Sequence, residues 1–414
     1  MSSNTIETEV MDMIVRNYYI NLLYKYKDKP FIKVITGMRR VGKSVLMDQY
    51  VDLLKTKGIS ETHILKINFE LPEFFNIVDF QTLTKKVMDF RGNKQQKIYL
   101  FLDEVQRIKD WEKAVNGFHA LHDFDIYITG SNADLLSSQL STYLAGRYVE
   151  IKVHPFCYRE FKELHVDKHY NEKTFFNQYL LFGGIPSIGV FNLDYNLSMN
   201  ALRDSFKSAF FRDVVLKNQI RNTIVLDRLI NYLLSNTGKS FSALSIANYF
   251  KAERINVSVD TVLSYLQYVE DAFLITKVKR QDLNGKVILK TDEKYYIEDH
   301  GIREAVVGGN QKNIELILEN IVFNQLKRKG YQIFVGKNKE YEVDFVCVHS
   351  DNSRSYYQVS YLLASEDTRK REFRSLLLID DQFPKYILSL DEFDFSEQGI
   401  KHINLIDFLN LPEA

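Results

Sequence analysis

Three small groups of residues have the types and spacings that phosphate chemistry uses. Gly37-Met38-Arg39-Arg40-Val41-Gly42-Lys43-Ser44, followed by Val45, completes the pattern G-x-x-x-x-G-K-[ST]. Glycines there let backbone N–H groups turn inward around phosphate, and a following helix N-terminus adds a favourable dipole. Lys43 would reach the β- and γ-phosphates of a nucleoside triphosphate, and Ser44 would offer its hydroxyl to Mg²⁺. The second group, Asp103-Glu104, ends the apolar run Ile98–Leu102. Asp103 would orient Mg²⁺ through its water shell, and Glu104 would polarise an attacking water as general base. Taken alone, such a pair also suits a helix first turn. The third group, Glu319, Asp344 and Gln358, lies in the last third of the chain.

Stepping outward, Ile32–Thr36 reads as a buried strand and Val45–Leu54 as a helix, the setting the glycine loop requires. A further strand, Ile64–Phe69, lies between the two motifs. With the glutamate beside Asp103, it suggests the P-loop branch in which an inserted strand separates the first and metal-binding strands. The strand Asp125–Thr129 runs into Gly130-Ser131-Asn132. Asn132, with Ser131 in reserve, is placed to contact the γ-phosphate or the water; an ordinary Gly-Ser-Asn turn is the competing reading. Arg147 precedes the strand Tyr148–Val153. It would neutralise phosphate charge in its own chain or a neighbour's, or else be a solvated surface arginine. Arg39 and Arg40 would feel the nucleotide or pair with a carboxylate on a lid.

The set GMRRVGKS, LFLDEVQRIKDW, YITGSN, LAGR, HPFCYREF and YLLFGGIP resembles a group of prokaryotic AAA-type ATPases, in order along nearly the whole chain. Members of that group carry a helical and winged-helix middle and a C-terminal domain related to restriction-type nucleases. The resemblance implies ATP as the nucleotide, where the residues alone reach only a nucleoside triphosphate. The expected fold is α/β: an N-terminal helix over 1–29, a P-loop core with a parallel sheet over 30–155, a helical lid over 156–220, a winged helix over 221–300 and a nuclease-like α/β domain over 301–414.

Within the lid, Asn200–Lys217 reads as a helix from which Arg212 reaches the phosphates or pairs with Asp213. In the winged helix, the third helix Val259–Val269 carries Asp260, Glu270 and Asp271 and no Lys or Arg, the wrong sign for a phosphate backbone. The wing, turning at Asn284-Gly285, is more basic with Lys277, Lys279, Arg280 and Lys286. In the tail, restriction-type nucleases place a helix glutamate, an aspartate at a strand bend and Glu/Gln-x-Lys on the next strand. Glu319, Asp344 and Gln358 fit, but Ser360 stands where the lysine belongs. Lys337 or Lys339 would have to substitute; otherwise the domain keeps its fold for binding or assembly. The basic clusters Lys327–Lys329 and Arg369–Arg371 would lie along nucleic acid or be solvated helix faces.

The 54 basic and 54 acidic residues among 414 cancel, so no global field drives the chain onto nucleic acid or membrane. Its two cysteines make neither a disulfide framework nor a zinc cluster. No signal pattern and no apolar run of about 20 residues is present, which agrees with a cytoplasmic protein. The expected activity is Mg²⁺-dependent ATP hydrolysis that moves the C-terminal domains, with a homo-oligomer and DNA contact through those domains as open partners. An ATP-gated metal-dependent DNA nuclease and a nucleotide switch without turnover are the rival readings.

Overall fold

Runs of β-branched and aromatic residues without polar alternation need burial on both faces, which parallel sheets provide. Three fully buried strands, β1 (Ile32–Thr36), β3 (Ile98–Asp103) and β4 (Phe124–Thr129), form the centre of one wholly parallel sheet, flanked by the partly buried β2 (Ile64–Asn68) and β5 (Tyr148–Lys152), in the order β2-β3-β4-β1-β5. The computed structural model describes residues 14–131, 135, 146–283, 285, 287–289, 293–338 and 341–412. Helices α1 (Asn17–Lys25) and α2 (Lys43–Thr56) bury their apolar sides against Ile35, Phe101 and Tyr127 on one face. Helices α3 (Phe80–Arg91) and α4 (Trp111–Ala120) cover Val34, Leu100 and Ile126 on the other. The chain is thus α/β with a P-loop core. The strand between β1 and β3 is β4, so an inserted strand does separate the glycine-loop strand from the Asp103 strand; Ile64–Asn68 is the outer strand beside β3. Because all five strands run the same way, the ends of β1, β3 and β4 open at one edge of the sheet, where ligands of such folds bind.

Past β5 the chain becomes helical: α5 (Tyr158–Leu164), α6 (Glu172–Phe182) and α7 (Tyr195–Phe210), the last widening into a π-turn over Phe211–Leu216. Then come α8 (Thr223–Ser235), β6 (Ser240–Phe241), α9 (Ala243–Ala252), α10 (Val259–Asp271), β7 (Ile275–Val278), β8 (Arg280–Asp282), β9 (Glu293–Ile297) and α11 (His300–Val306). Strands β6, β9 and β7 make a small antiparallel sheet in that order. The tail supplies α12 (Ile314–Arg328), β10 (Gln332–Asn338), β11 (Tyr341–Val348), β12 (Arg354–Val359), α13 (Glu366–Leu377), β13 (Lys385–Ser389), β14 (Ile400–Asn404) and α14 (Leu405–Asn410). Its sheet has six strands, ordered β14-β13-β12-β11-β10-β8. Among the described residues, no helix is long and apolar enough to cross a membrane.

Strand β8 departs from the sequence reading. A hairpin does turn about Gly285, with Leu289 N donating to Arg280 O at 2.8 Å and Asp282 N to Val287 O at 2.9 Å. Asn284 and Lys286 lie outside the described residues. Yet β8 pairs in parallel with β10, Arg280 to Asp282 against Val335 to Lys337, and Arg280 donates to Glu342 at 3.3 Å. Its backbone and that arginine are therefore committed to the tail.

Two close backbone approaches around the helical segment past β5 depend on glycine. A Cβ on Gly184 would lie 2.0 Å from Phe156 O, and one on Gly301 would lie 2.1 Å from Phe182 O. Only hydrogen fits at those approaches. The basic run Lys327–Lys329 is also corrected. Lys327 bonds Glu298 and Thr276 at 2.8 and 2.7 Å, and Arg328 bonds Glu160 at 2.6 Å with Pro155 O as a second acceptor. Two of its three cations are spent inside the molecule.

Burial holds the imidazoles of His154, His165 and His300 down at about 4, with Glu298, Asp167 and Tyr179 O respectively among the groups pulling the other way. Burial lifts Asp299 up to about 6. Each histidine takes its proton near pH 6.5 when unfolded but only near 4 when folded, so its contribution is whole above 6.5 and drains as the pH falls. Asp299 acts with the opposite sign between about 6 and 3.8 and offsets one of them. Asp344 and Glu270, which burial also raises, act with the sign of Asp299, so the histidine share is read by comparison: His300→Gln should lose less stability than wild type as the pH falls from about 6.5 to 4.5. Urea midpoints of the two chains at successive pH values measure this; parallel curves from about pH 7 to 4.5 would contradict it.

Candidate functional site

The glycine loop connects β1 to α2. Gly37 sits against the end of β5, where a Cβ would lie 2.2 Å from Val153 O. Gly42, at φ 88°, caps α2 from the left-handed region, and Arg40 holds φ 67° without being glycine. Such backbone costs about 1–3 kcal/mol unless its surroundings demand it. Lys43, 5% exposed, folds back and donates to Gly37 O at 2.8 Å and Met38 O at 3.1 Å. Burial pulls its pKa below the ordinary lysine value, with Glu104 the first of the carboxylates opposing that pull. Ser44 is half-buried in the first turn of α2.

Asp103 ends β3, fully buried, and Glu104 follows it in the left-handed region at φ 59° and ψ 44°. Thr129, at the end of β4, ties the two together. Its hydroxyl donates to Asp103 Oδ1 and accepts the Glu104 N–H at 2.8 Å. Gln106 Nε2 donates to Glu104 Oε2 at 2.5 Å. A Cβ at Gly130 would stand 2.8 Å from Gln106 Oε1, so the bare glycine leaves that amide its room. Three buried atoms here find no partner among the described residues: Asp103 Oδ2, Gln106 Oε1 and Ser131 Oγ. Each such group costs about 1–3 kcal/mol unless water or a ligand meets it. Thr129 and Gln106 escaped the sequence reading. A threonine ending a strand beside Asp103 was a usable signal; nothing local marks Gln106.

Lid residues close over the loop. Arg39 forms a two-bond ion pair with Asp213 in the π-turn at 2.6 and 3.0 Å, so Asp213 serves the loop rather than Arg212. Arg40 donates to Ser205 Oγ at 2.5 Å. The cleft so bounded, about 290 Å³, is lined by Lys43, Ser44, Glu104, Glu70, Ser208 and Arg212 among others. That is at the lower end of the about 300–1,000 Å³ of small-molecule sites. A second, mostly apolar hollow adjoins it past Gly42 and Val45, walled by Val41, Phe156, Leu164, Pro186 and Val190.

Arg147 is elsewhere. Its carbonyl accepts Ile32 N–H at 2.8 Å, at the start of β1, while the glycine loop follows the end of that strand. The five-residue strand puts about 16 Å between them, so this exposed arginine, bonded to Asn116 at 2.6 Å, does not reach its own chain's cleft. Asn132 lies outside the described residues. In the tail, Gln358 Oε1 accepts Asp344 N–H at 3.2 Å, and Lys294 of β9 bonds Glu319 at 2.8 Å with Asp344 at 3.8 Å. The cation that the structure shows beside those carboxylates is Lys294, which the sequence did not suggest; Lys339 lies outside the described residues.

Comparison with known proteins agrees with this geometry. The AAA domain family matches residues 29–162, and a domain of unknown function (DUF8612) matches residues 173–313. An uncharacterized protein of Haemophilus influenzae is 38% identical over 408 residues, covering 96% of this chain and 98% of its own length. Uncharacterized protein MJ1544 of Methanocaldococcus jannaschii is 31% identical over 399 residues, covering 92% of this chain and 86% of its own. The Walker-type ATPase PABY2304 of Pyrococcus abyssi shares the fold, with TM-score 0.51 at 16% identity over 73% of this chain and 98% of that one. Relatives of such identity, matched along most of their length, show that the chain belongs to an AAA-domain P-loop family with members in Haemophilus influenzae and Methanocaldococcus jannaschii.

Proposed function

We propose that this chain is a cytoplasmic ATPase that binds ATP with Mg²⁺, hydrolyses it, and moves its lid and C-terminal units in response. The observation that carries the reading is the convergence of Lys43, Ser44 and Glu104 on one cleft, with Asp103 behind them holding an unpartnered oxygen. On binding, Lys43 exchanges the loop carbonyls for β- and γ-phosphate oxygens. Backbone N–H groups from Gly37 to Val45 cradle the phosphates, and the adjoining apolar hollow takes the base. Ser44 and Asp103 suit a hard cation: one offers a hydroxyl, the other a buried, unmet carboxylate oxygen. Mg²⁺, when bound, neutralises phosphate charge. Glu104 takes the proton from the attacking water while Thr129 fixes its backbone and Gln106 its carboxylate. Asn132 and Arg212 are the proposed further contacts to the γ-phosphate, from the end of β4 and from the lid.

Arg147, too far from its own cleft, is assigned to a neighbouring copy, whose phosphates it would stabilise across a homo-oligomeric contact. The helix order and the β6-β9-β7 sheet support a winged helix over 221–300, and the α12-β10-β11-β12 order supports a nuclease-like domain over 301–414. DNA contact gains little support. Helix α10 turns Asp260 to solvent with Glu270 and Asp271 half-buried at its end, Lys327 and Arg328 point inward, and β8 is taken up by the tail.

Two measurements test the reading. Glu104→Gln should retain ATP binding and lose about 100-fold or more in steady-state phosphate release, with and without duplex DNA. Equal rates from mutant and wild type would leave a nucleotide switch without turnover. Arg147→Ala should bind ATP normally yet turn over slowly, and mixing it with Glu104→Gln should restore part of the rate, because the mixed contact unites an intact cleft with an intact arginine. An Arg147→Ala chain at full rate would remove that residue from the reaction.

A further inference from the structure

The carboxylates of the tail pose a question that the ATPase reading leaves open. Glu319 of α12, Glu342 and Asp344 of β11 gather around one ammonium group, Lys294 Nζ, at 2.8, 2.8 and 3.8 Å. Lys294 belongs to β9, in the small antiparallel sheet, a different unit of the chain. It is 4% exposed and Asp344 8%. Tyr296 hydroxyl shares with Lys294 the same Glu319 oxygen, Oε1, at 2.6 Å. The second oxygens of the other two carboxylates are occupied, Asp344 Oδ2 by Val359 N–H at 2.9 Å and Glu342 Oε2 by Arg280 at 3.3 Å. Gln358 spends its amide on Asp344 N–H and, at 2.9 Å, on Glu372. Ser360, where a nuclease would carry its lysine, turns its hydroxyl to Leu362 O at 3.3 Å.

A divalent ion that activates water needs several carboxylate oxygens open together and a path for a phosphodiester. Neither is offered here. Among the described residues, no group of acidic, histidine or cysteine side chains is arranged to hold a metal. We propose that Lys294 is the resident cation of this centre: it stands where a metal ion would, and it turns an inherited catalytic arrangement into the fastening between the small antiparallel sheet and the C-terminal sheet. The fastening is electrostatic where β8 is a backbone splice, and both join the same two units. Burial works against the charge on Lys294, but the three carboxylates outweigh it and hold the ammonium above its ordinary range. The inference stands apart from ATP hydrolysis, since no residue in it lines the nucleotide cleft.

The test uses the full chain without nucleotide. Lys294→Met, which strands the carboxylates, should lower the melting temperature by about 5–10 °C. Adding Glu319→Gln to it should recover a good part of the loss. Mn²⁺, followed by the electron paramagnetic resonance of the free ion, should show no uptake by wild type that Asp344→Asn removes. Two results would overturn the proposal. One is a Lys294→Met chain that melts like wild type. The other is Asp344-dependent Mn²⁺ binding or plasmid nicking by wild type, which would make Lys294 a partner in a working nuclease.

Discussion

Glu160 is the carboxylate on which the arrangement of the whole molecule rests. Arg16, ahead of α1, grips it with two bonds at 2.8 and 3.1 Å, and Arg328, at the end of α12, reaches it from the far side at 2.6 Å. Burial alone would raise its pKa, yet the two guanidiniums, Arg328 foremost, bring it down to about 2. It therefore stays charged, and removing either arginine would leave a buried charge half met, at a cost of about 3–5 kcal/mol. The same Arg16 donates to Val41 O in the glycine loop and to His154 O at the end of β5. One ion cluster thus links the loop, the core sheet, the first lid helix and the tail. A shift of the loop has a direct route to α12.

Around that anchor the cleft holds strain and unmet polarity. Arg40, Gly42 and Glu104 all adopt positive φ within the same small region. Asp103, Gln106 and Ser131 keep buried oxygens without partners a few residues away. Both features lower stability, and a packed scaffold tolerates them where a ligand will later supply the missing contacts. The Arg39–Asp213 pair holds the lid to the loop meanwhile. A phosphate arriving near Arg39 would compete with Asp213 for the same guanidinium.

The readable parts of this molecule were those with local causes. The glycine loop, its flanking strand and helix, and Asp103-Glu104 are contiguous, so their residues specify their own geometry. The helix Ile314–Arg328 and strands β10 to β12 also follow from periodicity alone, within a few residues. What stayed hidden depends on partners far along the chain. Lys294 lies in a short strand that reads as part of a wing, and only the tertiary fold brings it to Glu319 and Asp344. Lys327 and Arg328 look like a surface cluster because composition carries no sign of Glu298 and Glu160 facing them. Arg147 reads equally as a ligand of its own chain's phosphates, a ligand of a neighbour's or a surface arginine, and only strand direction, which puts it at the far end of β1 from its own loop, removes the first. That a strand would stand between β1 and β3 was legible, whereas its identity as β4 is a three-dimensional fact.

The splice of β8 onto β10 has a consequence for how the chain is made. Strand β8 leaves the ribosome before any other strand of the six-stranded sheet. It can serve as the template on which β10 docks, and β11 and β12 then add as antiparallel neighbours. The C-terminal sheet would grow from a piece of its predecessor. A tail expressed alone would lack its first strand and present β10 as a bare edge, a surface prone to pairing with other chains. Synthesis in this order keeps that edge covered from the moment it exists.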